Sequence, residues 1–119
     1  TPLAESMVAI DELFEHLKLA NKSGWQSPIE NPAIDPPHTA LMLREQFHEL
    51  GRLDEIKKQP EEFQRLLFAS EKTAEELENA LRAWDKKDAK PTERIGAAFK
   101  GVGQSCLNCH QVYRDKPKK

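Results

Sequence analysis

Apolar side chains recur along this chain at steps of three and four, the period of one helix face, and almost nowhere in the strict alternation of a strand. Leu3, Met7, Ile10, Phe14 and Leu17 mark the first helix. Thr1 suits its N-cap, Pro2 its first helical position and Gly24 its stop. Pro28, Pro32, Pro36 and Pro37 follow, which predicts an irregular crossover too poor in backbone donors for a helix interior. A second helix is expected from about Thr39 to Lys57, with Ala40, Leu43, Phe47 and Leu50 inward; Gly51 inside that pattern is a place for an early end or a kink. Pro60 restarts the chain, and Phe63, Leu66, Leu67, Ser70, Ala74, Leu77, Leu81 and Trp84 give the longest apolar stripe. After a polar hinge at Asp85–Lys90, Pro91 opens a last helix whose stripe is Ile95, Phe99, Val102, Cys106, Cys109 and Tyr113.

Four amphipathic helices with mostly short links predict an all-α, antiparallel (up-down-up-down) four-helix bundle. Such bundles build cofactor sites between facing helices. The 119 residues suit a single domain, 1–119, with one core. There is no internal repeat and no low-complexity segment.

Composition narrows the classes. Hydrophobic residues make up 38% and charged residues 32%, the balance of a helical protein in water rather than in a membrane, and no apolar run is long enough for a membrane span. The net charge of −2 hides an asymmetry: residues 91–119 carry six Lys/Arg against two Asp/Glu, the rest twelve against eighteen. The basic end, with Lys116, Lys118 and Lys119, reads either as a solvated terminus or as a steering surface for an acidic redox partner. A mildly acidic chain without a basic stripe argues against a nucleic-acid partner.

The chemistry concentrates in Cys106-Leu107-Asn108-Cys109-His110, a C-x-x-C-H run with the spacing of covalent c-type heme attachment. Thiols three positions apart share a helix face, so both can bond the vinyl groups of one porphyrin, and the next residue, His110, is carried to the iron as proximal ligand. Structural zinc would need four ligands where the chain has two cysteines. A thioredoxin-like dithiol belongs near a helix start in a βα unit, and a disulfide across three residues closes too small a loop to stabilise much. One covalent heme c is therefore the expected cofactor. Because heme c is normally attached outside the cytoplasm, Thr1 reads as near a mature start after removal of an export signal, and a periplasmic location is expected.

The segment from Ala97 to Arg114 resembles the last helix of class II cytochromes c, the cytochrome c′ family, through Gly103, Cys106, Cys109, His110, Tyr113 and Arg114 in a G-x-x-C-x-x-C-H-x-x-Y-R pattern. The resemblance implies a heme on the C-terminal helix of a four-helix bundle. It also implies a distal residue from the first helix, which falls at Met7. Some family members bind a methionine there to iron and carry electrons; others leave the iron five-coordinate. The family often has an arginine four residues earlier, where this chain has Leu3. Arg114 is implied beside the proximal histidine, able to meet a propionate, and family members commonly form homodimers through their first two helices. A heterodimer with a related chain is equally compatible.

Met7 is thus either an iron ligand or a wall of the distal pocket, with Ile10 and Phe14 as further walls. Met42 reads as packing. His16, His38 and His48 read as boundary or solvated imidazoles, with His16 the first alternative sixth ligand if Met7 is unbound. Tyr113 and Trp84 are expected on or near the porphyrin. Glu12, Glu15, Glu75, Glu76 and Glu78 are expected as solvated helix faces.

No bond-making active site is expected. The primary expectation is an exported mono-heme cytochrome that exchanges electrons with redox partner proteins. One alternative is a high-spin heme protein binding nitric oxide or carbon monoxide in an apolar distal pocket as scavenger, carrier or sensor. Another is the small cytochrome subunit of a larger redox complex.

Overall fold

The computed structural model describes residues 2–85, 87 and 90–111. Its elements are α1 (Pro2–Lys22), α2 (Pro36–Leu50), a single-turn α3 (Asp54–Lys57), α4 (Glu61–Ala83) and α5 (Glu93–Cys109). Among the described residues there is no strand. The four long helices are antiparallel neighbours. Arg44 and His48 of α2 meet Glu78 and Glu71 of α4 in reversed order, as Ser70 and Thr73 of α4 meet Cys109 and Ser105 of α5. The expected four-helix bundle is therefore present, with one short helix added. No described helix is long and apolar enough to cross a membrane.

The end of α1 explains how the chain leaves it. The amide of Trp25 donates to Ala20 O at 2.7 Å and that of Gly24 to Asn21 O at 3.2 Å, the paired bonds of a Schellman turn. Gly24 occupies the left-handed position with φ 67°, which costs glycine little. Trp25 follows with φ 64°, strained for a bulky residue, yet only 3% exposed. Burial of the indole offsets the strain. The N-cap expected at Thr1 lies outside the described residues.

The second helix departs from expectation at both ends. It starts at Pro36, because two prolines in a first turn lack only amides that would have no helical partner there. Thr39 N–H and Thr39 Oγ1 both donate to Asp35 O, at 2.8 and 3.0 Å. It stops at Leu50 rather than Lys57. A continuous helix would have turned Asp54 and Lys58 toward the core. The break at Gly51–Leu53 instead rotates α3 so that Ile56 is fully buried. The Gln64 side-chain amide donates to Ile56 O and ties this turn to α4.

The inward stripes supply the core. Leu17, Leu43, Leu77, Ile95 and Val102 are fully enclosed. Glu78 corrects the expectation of a solvated acid, since it is 8% exposed and clasped between helices. Arg44 Nε donates to its Oε1 at 3.2 Å and Arg82 Nε to its Oε2 at 2.8 Å. Glu78 sits next to Leu77 on the edge of the apolar stripe, where α2 covers it, and the two guanidiniums satisfy the charge.

Candidate functional site

Helix α4 packs closely on both α2 and α5, whereas the backbones of α1 and α5 approach each other at few points. At one level that gap is filled by rings. Phe14 stacks on Phe99 at 5.7 Å between centroids, and Trp25 meets Phe99 edge-on at 5.1 Å. Beyond this aromatic floor, toward the N-terminal end of α1 and the C-terminal end of α5, a cavity of about 330 Å³ opens. A buried water needs only roughly 10–15 Å³. The space is of cofactor size, not a packing flaw.

All four long helices line it. Helix α5 contributes Cys106, Leu107 and Cys109, and its C-cap His110; α1 contributes Leu3, Met7, Ile10, Asp11 and Phe14. Phe47 and Leu50 of α2, with Phe63, Leu67 and Ser70 of α4, form the remaining walls. The structure thus brings together Cys106, Cys109, His110, Met7, Ile10 and Phe14, residues up to about a hundred positions apart in sequence. Tyr113 and Arg114 lie outside the described residues. Asp11 is a cavity residue that pattern reading did not single out. The helical step of four from Met7 to Asp11 was the available signal.

Both thiols face an environment that disfavours charge. Burial pushes Cys106 up to about 11, and repulsion from Cys109 once it ionises and from Asp11 adds to the shift. Burial also raises Cys109, against a partly opposing hydrogen bond with Ser70, whose Oγ lies 3.8 Å from Cys109 Sγ. These sulfurs are therefore neutral thiols near pH 7. That suits a thioether, which leaves sulfur uncharged, better than a thiolate metal site. Among the described residues no three His, Cys, Asp or Glu side chains form a metal cage. His110 follows α5 with helical angles (φ −63°, ψ −40°), and its amide reaches Cys106 O and Leu107 O. The imidazole is thus carried on the same rigid turn as the two thiols.

Three expectations need correction. His16 lies not in this cavity but in a separate groove between α1 and α2, beside Leu13 and Met42. Its position on α1, two residues past Phe14, turns it to the α2 side. Trp84 is buried at the far end of α4, fourteen residues beyond Ser70 and about 21 Å along the helix. It closes the core there and does not line the cavity. Finally, the α1 wall is not wholly apolar, because Asp11 stands at its edge.

The residues present fit a heme. Two neutral thiols and an imidazole converge on one large apolar space, and four walls of aliphatic and aromatic side chains would cover a flat apolar ring. Walls this apolar gain by covering an apolar ring and lose by standing against water. The fold makes sense when the space is filled.

Comparison with known proteins agrees with this geometry. A family model described as Cytochrome C′ matches residues 44–114, from the second half of α2 through the cysteine–histidine run. Helix α1, with Met7 and Asp11, lies outside the match. No curated protein and no solved structure matches the chain.

Proposed function

Because the chain belongs to the cytochrome c′ family, we propose that it is an exported mono-heme cytochrome that passes single electrons between redox partner proteins. The observation that carries this reading is the shared cavity, in which Cys106, Cys109 and His110 face Met7 across an apolar space. The heme, when bound, supplies a one-electron Fe(III)/Fe(II) couple. Cys106 and Cys109 would hold it through thioether bonds, and His110 would be its iron ligand from α5. Met7 would supply a second, thioether ligand, which would keep the iron low-spin and the structural change on electron transfer small. Leu3, Ile10 and Phe14 keep water from the α1 side of the cavity, while Phe47, Phe63 and Leu67 keep its dielectric low. Ligand identity and burial together set the potential. No bond of the substrate is made or broken, so no general acid or base is required.

A second reading rests on the same wall. With Met7 unbound, Leu3, Met7, Ile10 and Phe14 form an apolar pocket suited to a neutral diatomic such as nitric oxide or carbon monoxide. Absorption spectra of the purified holoprotein, oxidised and reduced, with and without nitric oxide, separate the two. A low-spin spectrum with a methionine–iron charge-transfer band and little response to the gas supports electron transfer. A high-spin spectrum that shifts on adding nitric oxide rejects Met7 ligation and puts gas binding first.

A further inference from the structure

Among the side chains that line the cavity, only Asp11 and His110 are ionisable other than the two cysteines, and His110 is assigned to the iron. Asp11 lies one helical turn beyond Met7, so both occupy the same strip of α1. Its carboxylate stands at the exposed margin of the cavity. It is close enough to Cys106 for its charge to act on that thiol. Among the described residues it has no ion-pair partner. No described partner at ion-pair distance offsets its field, which acts on the cavity from the solvent-exposed rim and is therefore sensitive to salt.

We propose that Asp11 is the charge that sets the specificity of this site, favouring the oxidised cofactor and turning away anionic ligands while leaving neutral diatomics unaffected. The inference rests on the heme reading above. Oxidised iron carries one more positive charge than reduced iron, so a fixed negative charge nearby stabilises the oxidised state and lowers the potential. The same charge repels an anion entering from the α1 side. A neutral diatomic has no net charge on which the field can act.

The test compares wild type, Asp11→Asn and Asp11→Glu holoprotein. A pyridine hemochrome assay comes first. If wild type gives no c-type hemochrome, the heme reading fails and the role of Asp11 falls with it. With a normal hemochrome, Asp11→Asn is expected to show a higher midpoint potential. Azide should bind its oxidised form about three- to tenfold more tightly, measured also in a Met7→Ala background where the distal position is open. Carbon monoxide affinity of the reduced form should stay within about twofold. Asp11→Glu should resemble wild type, and the difference in azide affinity should shrink in 1 M salt. An Asp11→Asn protein with normal hemochrome but unchanged potential and azide affinity would overturn the proposal. So would equal gains for azide and carbon monoxide, which would signal a change of shape and not of charge.

Discussion

Phe14 uses one ring for two tasks: it stacks on Phe99 at 5.7 Å and lines the cavity beside Met7 and Ile10. Phe99 is in turn braced edge-on by Trp25, which the Schellman turn at Gly24 pins in place. The floor of the cofactor space thus depends on a loop residue well outside it. Phe99→Ala should lower stability by about 3 kcal/mol or more, since a large side chain is removed from between two rings. Urea unfolding followed by far-UV circular dichroism measures this, and a loss below about 1 kcal/mol would show that the rings do not brace one another.

Gly24→Ala tests the turn itself. A Cβ at φ 67° meets no neighbour, so the cost is backbone strain alone. About 1 kcal/mol is expected, a fall of roughly 3–6 °C in Tm by calorimetry. An unchanged Tm would mean that the turn relaxes freely.

Arg44, Glu78 and Arg82 allow a cleaner measurement of a charge clasp. The Glu78 side chain is 10% exposed, whereas those of Arg44 and Arg82 are 33% and 51% exposed. Losing Glu78 lets both arginines turn to water, whereas losing Arg44 leaves a buried carboxylate with one partner. Arg44→Ala should therefore destabilise more than the partners' exposure suggests, by about 1–3 kcal/mol. A double-mutant cycle with Glu78→Gln should return a coupling of roughly 0.5–2 kcal/mol. Zero coupling would reduce the clasp to a surface pair.

Preparing the chain without its heme should show how far the cavity governs the fold. With its apolar walls left facing water, the heme-free chain is expected to keep much of its helix but lose fixed packing. Far-UV circular dichroism should stay near that of the holoprotein while the near-UV signal fades. A fully native near-UV spectrum would show that the walls collapse onto one another at little cost.

The helix faces and the C-x-x-C-H run were legible in the sequence because both are matters of spacing, and spacing survives without a structure. Ile10, Leu43, Leu77 and Val102 went inward as their period requires. What the period hid were choices made by neighbours. The break after Leu50 depends on the buried seat that Ile56 finds. Glu78 is one position from Leu77, and only the arrival of α2 makes it interior. Asp11 sits where an inward stripe meets the rim, a place that pattern reading assigns to solvent. Trp84 and Trp25 carried no mark to say which end of the bundle each would close. The inward Trp84 was buried as expected but away from the cavity, whereas Trp25 supports its floor.

The two faces of the cavity come from opposite ends of the chain, the α1 wall from residues 3–14 and the thiol–imidazole turn from 106–110. This separation favours an order of assembly. The α4–α5 hairpin can form from local contacts, whereas the α1 wall must close across nearly the whole chain, the slowest kind of contact to make. A cofactor bonded to the last turn of α5 would therefore be anchored before it is covered. It would also stay tethered whenever α1 lifts away. Opening of the bundle at α1 would then expose one face of the ring without ever releasing it.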